Sequence, residues 1–319
     1  MQMCPYDRVH SGRASPQPGA HPARGVPAGR TASVRPVNGE HLLTLSCPDR
    51  PGIVHAVSTF LVVTGCNILD SQQYRDPDSE RFFMRVHVAA DPAVTVPSLR
   101  SGFEATGTSF GMQWQLAPAD RPLPTVVLVS KQDHCLQDLL FRHRTGALPI
   151  DLRAVVSNHP DTRALVEWHG ISFHHLPVAA DAKADAEAQL LALVQAEQVE
   201  LVVLARYMQV LSPDLCARLT GSAINIHHSF LPSFKGARPY AQAHDRGVKL
   251  IGASAHYVTA ELDEGPIIEQ DVARADHTHT AEQLARVGRD IEARVLARAV
   301  LWHAERRVLL NGSRTVVFR

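Results

Sequence analysis

Two short segments of this sequence carry polar side chains at spacings that could support acyl transfer. Residues 223–227 form a short apolar run in which Asn225 and His227 stand two positions apart. That spacing puts both side chains on one face of a β-strand. A stretch with Pro and Gly follows at once, which predicts that the pair lies at a strand end beside a cleft. Asp263 lies in an acidic turn ahead of a Gly-Pro pair.

These three residue types suit attack on a formyl carbon bound to nitrogen. The Asn225 amide can donate a hydrogen bond to the oxyanion of a tetrahedral intermediate. His227 can move a proton between the attacking group and the leaving nitrogen, and Asp263 can hold the imidazole. No G-x-S-x-G elbow of a serine hydrolase is present. An isolated strand-end Asn and His also fits a structural role, so the residue types alone leave both interpretations open.

The composition limits the kinds of protein this chain can be. Its 319 residues suit about two domains with appendages. Lys plus Arg and Asp plus Glu are both 32, so no net field attracts a polyanion, and a nucleic-acid-coating role is disfavoured. No apolar run reaches the roughly 18 to 20 residues that span a bilayer. The five Cys are scattered without a CxxC pair, which predicts a reducing, cytoplasmic setting.

The first 39 residues differ in composition from the rest of the chain. They contain six Pro, five Gly and five Arg, and almost no acidic residues. Such a segment buries too little apolar surface to offset its ordering entropy, which predicts a disordered tail outside the fold. The Arg-rich bias also fits a transit peptide, but the prolines would break its amphipathic helix. A start codon chosen too far upstream is a further alternative.

The remaining sequence divides into two predicted α/β units. Residues 40–118 alternate in the order βαββαβ, which by itself fits an interaction module without a ligand. A Pro-rich linker, 119–124, follows. Residues 125–319 repeat strand and helix, which predicts an open, doubly wound, Rossmann-like sheet with ligands at the carboxyl ends of its strands. A capping-box signature at Thr280 predicts a last helix that runs to about Leu310.

The first unit resembles an ACT domain, a ferredoxin-like fold, and the segment CPDRPGIVHAVSTFL (residues 47–61) carries most of the likeness. Many ACT domains bind an amino acid near this strand-to-helix loop, and others only assemble subunits. Free backbone N–H groups at the helix start would attract a carboxylate. The resemblance implies a homo-oligomer and glycine or methionine as candidate effectors. The implied effector contacts are Asp49, Arg50, Gly52, Ile53 and Asn67.

The second unit resembles the folate-dependent formyltransferase family over about residues 123–275. The likeness rests on INIHHSFLPSFKGARPY (residues 224–240) and HYVTAELDEGPII (residues 256–268). The family's catalytic Asn, His and Asp match Asn225, His227 and Asp263. LARYMQVL (residues 204–211) resembles its pterin-binding loop, and residues 258–262 would close the other side. The implied folate contacts are Met208, Gln209, Leu211, Ser229, Gly236, Thr259 and Glu261.

Three features predict hydrolysis of 10-formyltetrahydrofolate to tetrahydrofolate and formate rather than formyl transfer. An ACT-like unit precedes the formyltransferase-like unit, an arrangement typical of the hydrolytic members of the family. The pair His227-His228 replaces the His-Pro usual in the transferases. The family's nucleotide-substrate transferase has a glycine-rich loop after its first strand, whose backbone N–H groups wrap a phosphate. The corresponding loop here, residues 130–137, lacks these glycines, and Asp133 would repel a phosphate. The folate is the substrate, so the resemblance implies no cofactor and no metal.

The sequence also leaves two other functions open. The chain could transfer the formyl group to an unidentified acceptor, or it could be an amino-acid sensor with an inactive folate domain. The intact Asn225, His227 and Asp263 argue against the sensor. His256 is a candidate to orient Asp263 or a water molecule. His277 and His279 favour hydrogen bonding over a metal site, because no carboxylate or Cys is spaced to complete one.

The arginines of the last helix alternate with acidic residues, which predicts a solvated face. They are Arg286, Arg289, Arg294, Arg298, Arg306 and Arg307.

Overall fold

A computed structural model of the chain describes residues 39–179, 182–232 and 239–319. The predicted disordered tail therefore lies outside the described residues, except for Gly39, which begins the first strand. Among the three described ranges, no helix has both the length and the apolar content needed to cross a bilayer.

The N-terminal unit has the predicted βαββαβ order. Its elements are β1 (Gly39–Pro48), α1 (Ile53–Val63), β2 (Asn67–Asp76), β3 (Arg81–Ala90), α2 (Val96–Phe110) and β4 (Gln113–Pro118). The strands form an antiparallel sheet in the order β2-β3-β1-β4. The ferredoxin-like fold predicted for this unit is confirmed.

Alternation along β1 gives the N-terminal sheet one face that packs against helices. Leu43 and Leu45 point into a core that also holds Phe60 of α1 and Phe103 of α2. The Phe103 ring meets the Phe60 ring edge-on, with 5.0 Å between the centroids. Thr44 and Ser46 belong to the opposite face, which the later part of the chain covers.

The C-terminal unit alternates strands and helices, as predicted. Its first elements are β5 (Leu123–Val129), α3 (His134–Arg144), β6 (Ile150–Ser157), α4 (Arg163–Trp168), β7 (Ser172–His175), α5 (Lys183–Ala196) and β8 (Leu201–Leu204). The later elements are α6 (Pro213–Arg218), β9 (Ala223–His227), α7 (Pro239–Asp245), β10 (Leu250–Tyr257), β11 (Ile267–Arg274) and α8 (Ala281–Ala304). β5 includes the last two residues of the predicted linker, 119–124.

Strands β5 to β11 form one sheet in the order β11-β10-β9-β8-β5-β6-β7. Its strands are parallel from β9 to β7, and β10 runs antiparallel to both β9 and β11. Val127 of β5 packs with α3 and α8, whereas its neighbour Val126 packs with α5 and α6 on the other face. Helices therefore cover both faces, and the predicted doubly wound sheet is confirmed.

The predicted extent of the last helix is wrong. Thr280 does form the predicted capping box with Gln283, but α8 ends at Ala304 instead of near Leu310. A hairpin follows, made of β12 (Val308–Asn311) and β13 (Arg314–Val317). The two residues between these strands begin with Gly312 at φ +60°, a turn signal that was available in the sequence.

This C-terminal hairpin contacts both units. Asn311 donates a hydrogen bond of 2.6 Å to Asp76 of β2, and Arg314 lies 3.0 Å from the same carboxylate. On the other side, the Thr315 hydroxyl donates to the Ile267 carbonyl at the start of β11. The hydrogen bonds from Ser79 and Asn311 lower the pKa of Asp76 to about 2, so this carboxylate is ionised at neutral pH.

Candidate active site

Three predicted catalytic side chains meet at the carboxyl end of β9. Asn225 and His227 come from β9, and Asp263 comes from the turn between β10 and β11. The Nδ1 atom of His227 lies 3.1 Å from Oδ1 of Asp263. All three residues line one cavity of about 520 Å³. The strand spacing that put Asn225 and His227 on one side thus also aims both at the same space.

A close backbone contact brings Asp263 to this position. A Cβ atom at Gly265 would lie 1.7 Å from the carbonyl oxygen of Tyr257, so only glycine allows the turn to fold back against β10. Asp263 itself has a φ of +58°, a backbone conformation that Asp tolerates better than most residues. The turn therefore delivers a carboxylate to the end of the neighbouring strand.

The electrostatics of the pair keep Asp263 ionised. Burial alone would raise the pKa of this carboxyl, but the hydrogen bond from His227 and the nearby His256 ring outweigh burial and lower it well below its ordinary value. A carboxylate only accepts, so His227 donates through Nδ1 and keeps its lone pair on Nε2. His227 is buried, and its Nε2 atom has no hydrogen-bond partner among the described residues. This nitrogen is placed to take a proton inside the cavity.

His256 of β10 holds the other side of the site. Its Nδ1 atom lies 2.9 Å from the Tyr257 carbonyl, which can only accept, so Nδ1 carries the proton. The Asn225 amide then donates to Nε2 of His256 over 3.2 Å. Nε2 also lies 3.7 Å from Asp263. This contact fixes the Asn225 rotamer and leaves its second N–H free to donate elsewhere.

Most of the predicted folate contacts line the same cavity. Those that do are Met208, Gln209 and Leu211, from the loop after β8, and Thr259 and Glu261, from the turn after β10. Both segments contribute to the lining of the cavity, and both present exposed apolar side chains, including Met208 and Leu262. Ser229 is not among the described lining residues; it is buried, and its carbonyl accepts a hydrogen bond from Ser254. Gly236 lies outside the described residues.

A buried polar cluster beside the predicted catalytic residues was missed by the sequence interpretation. Glu292 of α8 accepts hydrogen bonds from Tyr240 (2.5 Å) and His134 (2.9 Å), and it lies 3.4 Å from Nε of Arg206. Arg206 also donates to the Gln132 side chain. Glu292 is 1% exposed and shares one face of α8 with Gly288, Val295 and Leu296. A carboxylate on an apolar helical stripe was the available signal.

The predicted solvated face of α8 is therefore only partly correct. Arg286 is exposed and pairs with Glu282, as expected. Arg289 is exposed as well, although it also lines the cavity. Arg306, in contrast, lies beyond the helix end, where it is half-buried against Glu200. The alternation of charges could not reveal these tertiary neighbours.

Three possible metal-ligating atoms in this cluster lie within 4.8 Å of one another, one each from His134, Cys135 and Glu292. The Arg206 guanidinium beside Glu292 opposes a cation there. Burial raises the pKa of the Cys135 thiol well above its ordinary value, and Glu292 raises it further, which opposes the thiolate a metal needs. The chemistry of this set does not fit a metal. His279 forms a 3.0 Å hydrogen bond with Asp276, which is the hydrogen-bonding role expected for this residue.

His228 also lines the catalytic cavity. Burial, with the neighbouring Arg206 and His227, lowers the pKa of His228 to about 4, so it is neutral at neutral pH. Its ring centroid lies 5.1 Å from that of His227. A neutral imidazole can therefore hydrogen-bond within the cavity without adding charge.

The predicted effector contacts lie around the start of α1. Gly52 caps this helix with a φ of +95°, and the Ile53 side chain is buried in the core. The Asp49 carboxylate pairs with Arg75 at 2.7 Å. The Arg50 guanidinium lies over the Phe110 ring and donates to the Ser109 carbonyl. Asn67 begins β2. Asp49 and Arg50 thus already have partners within the chain, and their role as effector contacts stays a prediction.

The fold and this site define a formyltransferase-type domain preceded by an ACT domain. A family model described as "Formyl transferase" matches residues 124–300, and one described as "ACT domain" matches residues 41–100. Both resemblances predicted from the sequence are confirmed.

Proteins that are similar to this chain along almost their whole length identify a narrower family within this class. The formyltetrahydrofolate deformylase of Corynebacterium sp. (strain P-1) is 55% identical over 280 residues, which are 88% of this chain and 98% of that protein. The crystal structure of the Burkholderia mallei ATCC 23344 formyltetrahydrofolate deformylase is 52% identical, with a TM-score of 0.85, and covers 88% of this chain and 100% of its own. The Pseudomonas syringae pv. tomato structure is 46% identical, with a TM-score of 0.86, and covers 88% and 94%. The chain belongs to the formyltetrahydrofolate deformylase family.

Proposed function

We propose that this enzyme hydrolyses 10-formyltetrahydrofolate to tetrahydrofolate and formate, a reaction that balances the one-carbon pool used in purine synthesis. The observation that carries the proposal is the geometry of His227. Its Nδ1 atom is held by an ionised Asp263, and its buried Nε2 atom faces the cavity beside Asn225. Relatives named for this activity, at 41–55% identity over most of the chain, support the same reaction.

The proposed reaction begins when His227 Nε2 removes a proton from a water molecule as its oxygen attacks the formyl carbon. The carbonyl π electrons move to oxygen, and the free N–H of Asn225 donates to the resulting oxyanion. The carbon–nitrogen bond then breaks as the folate nitrogen takes the proton from His227. The products are tetrahydrofolate and formic acid, which releases its proton to become formate. Asp263 stabilises the imidazolium formed between these two transfers.

The polar cluster around Glu292 supports water as the nucleophile. His134 and Tyr240 both donate to Glu292, and Gln132 accepts from Arg206, so these side chains are tied to one another. Gln132 belongs to the glycine-free loop after β5 and His134 begins α3, a region where a nucleotide acceptor would need free backbone N–H groups. A wall whose polar groups are already paired offers a large acceptor few contacts, whereas a water molecule needs only the space beside His227.

The folate is proposed to lie between the loop after β8 and the turn after β10. Met208, Gln209, Leu211, Thr259 and Glu261 line the two sides of this cavity. Both segments carry exposed apolar side chains, against which the flat pterin ring of the folate could be buried. No cofactor or metal takes part in the proposed reaction.

The direct test mixes the purified protein with 10-formyltetrahydrofolate and no other acceptor, and quantifies formate and tetrahydrofolate. Equal release of both products is expected. A protein that binds the folate but releases no formate until an amine acceptor is added would be a transferase, and the hydrolase assignment would be withdrawn.

His256 is expected to act as a positioning residue. Removing it in His256→Ala frees the Asn225 amide to rotate, and a small misplacement of a catalytic group lowers kcat by roughly 10- to 100-fold. In His256→Gln the side-chain oxygen can still accept from Asn225, so part of the activity should return. The measurement is kcat and KM of both variants, with KM changed much less than kcat. A normal kcat in His256→Ala would remove His256 from the mechanism.

We also propose that the ACT domain assembles the enzyme into a homo-oligomer. β2 is an edge strand of its sheet, and it exposes Ile68, Leu69 and Tyr74. Val62 and Val63 at the end of α1 are exposed as well. Sedimentation equilibrium should give a mass of at least two chains, and a monomer at micromolar concentration would contradict this.

An amino acid such as glycine or methionine is the proposed effector of the loop at residues 49–53. Backbone N–H groups at the start of α1 support carboxylate binding there. A millimolar titration of either amino acid should change the rate of formate release; no response to either would end this proposal. The cytoplasmic location stays a prediction.

A further inference from the structure

A second, larger cleft lies where the ACT sheet meets the catalytic domain. Its volume is about 1030 Å³, at the upper end of the range of small-molecule sites. Thr44 and Ser46 of β1 and Gln113 and Gln115 of β4 line one wall. The other walls come from the ends of catalytic-domain strands and from the segment after α8. The cleft is away from edge strand β2, because β1 and β4 occupy the opposite side of the sheet.

This cleft is distinct from the catalytic cavity. Glu200 and Ser222 immediately precede β8 and β9, so the cleft is at the amino ends of these parallel strands. His227 is the last residue of β9 and therefore lies at the carboxyl end of the same strands. The folate cavity and the cleft therefore lie on opposite sides of the same strands, and a ligand in one does not occupy the other.

The charges lining the cleft do not balance. Arg100, Arg121 and Arg306 face it, and Glu200 is the one carboxylate among the described lining residues. Glu200 pairs with both Arg121 and Arg306, so this set keeps a surplus of about two positive charges. Burial lowers the pKa of Arg306; Glu200 opposes this, and Arg121 and Arg100 lower it further. An anion placed between guanidinium groups that repel one another is strongly stabilised, because it removes their mutual repulsion and accepts their hydrogen bonds.

One residue connects this cleft with the catalytic site. The Tyr257 hydroxyl lies 2.7 Å from Nδ1 of His303, and both residues line the cleft. The carbonyl of the same Tyr257 accepts the hydrogen bond from Nδ1 of His256, which in turn receives the Asn225 amide. A shift of Tyr257 would therefore change how Asn225 is held.

We propose that this interdomain cleft binds a small oxyanion, either a carboxylate or a phosphate compound, and that its occupation alters catalysis through Tyr257 and His256. The inference that an anion binds depends only on the cleft and its charges. The inference that this binding alters catalysis rests on the proposed deformylase activity. Bidentate contacts from Arg100 and Arg121 would hold the anion, and the hydroxyl and amide groups of β1 and β4 would contact its polar substituents.

Calorimetric titration of the full-length protein tests binding without reference to activity. The probes are inorganic phosphate, succinate and citrate, added at constant ionic strength so that general screening is the same throughout. At least one should bind saturably, and the ranking of phosphate against the two carboxylates identifies the source. The double variant Arg100→Gln/Arg121→Gln should bind it about tenfold or more weakly. Arg153→Gln, which changes an exposed arginine of β6, is the matched control and should bind normally.

Absence of saturable binding by all three probes would overturn the proposal, as would equal binding in the double variant and the parent. The effect of anion binding on catalysis is tested by measuring the rate of formate release with the bound probe at saturation. A change of about 5- to 150-fold is the usual size of such coupling. Tyr257→Phe should still bind the probe but lose most of this response. Proven binding with an unchanged rate in an active parent enzyme would overturn the coupling through Tyr257.

Discussion

Replacing His227 with alanine is expected to lower kcat for formate release about 100- to 10,000-fold, the range for loss of a general acid and base. The physical reason is that Nε2 of His227 is the proposed carrier of the proton from water to the leaving nitrogen. Affinity for the folate should change little, because the proposed folate contacts lie on the loops after β8 and β10. Single-turnover formate release and a folate binding titration measure the two effects separately.

The control for this variant is His277→Ala, which removes an exposed histidine near the start of α8. It should retain the parental kcat. The His227→Ala protein should also show the parental circular dichroism spectrum, so that lost activity is not lost folding. A folded variant with kcat within tenfold of the parent would exclude His227 as the proton carrier.

Replacing Asp263 with asparagine is expected to lower kcat by up to about 10,000-fold, the loss seen when the aspartate of a Ser-His-Asp triad becomes an amide. The asparagine amide can donate to Nδ1 of His227, which would force the proton onto Nε2. The imidazole would then lack the lone pair that accepts a proton from water. The imidazolium would also lose the carboxylate 3.1 Å away. Steady-state rates at neutral pH measure this effect.

The Asp263→Asn variant should also be less stable at neutral pH, with a sign set by the pKa of Asp263. The folded state lowers this pKa below the unfolded value of about 3.9. The ionised carboxylate therefore stabilises the fold above about pH 4, and this contribution is lost as the pH falls through the folded pKa. The gap in Tm between parent and variant should narrow below about pH 4. Asp290→Asn, which changes an exposed residue within α8, should show no such gap.

Sequence alone was sufficient where local patterns dictate structure. The alternation at Asn225 and His227 correctly placed both side chains toward one cavity, because side chains in a strand alternate strictly between faces. Apolar runs such as β5 correctly indicated a sheet covered on both sides. The Thr280 capping box marked the start of α8 correctly. The end of α8 was misplaced because the turn signal in the C-terminal hairpin was overlooked.

Only the tertiary structure brought together residues that are far apart in the chain. Glu292 meets His134 across 158 positions, and its role depends on which face of α8 packs against the start of α3. The interdomain cleft likewise joins Arg100, Arg121 and Arg306 from three separate segments. The sequence determined the two folds and the candidate catalytic residues, since these follow from local periodicity and contiguous motifs. The packing of distant surfaces decided the polar cluster and the cleft, because no local pattern encodes which surfaces will touch.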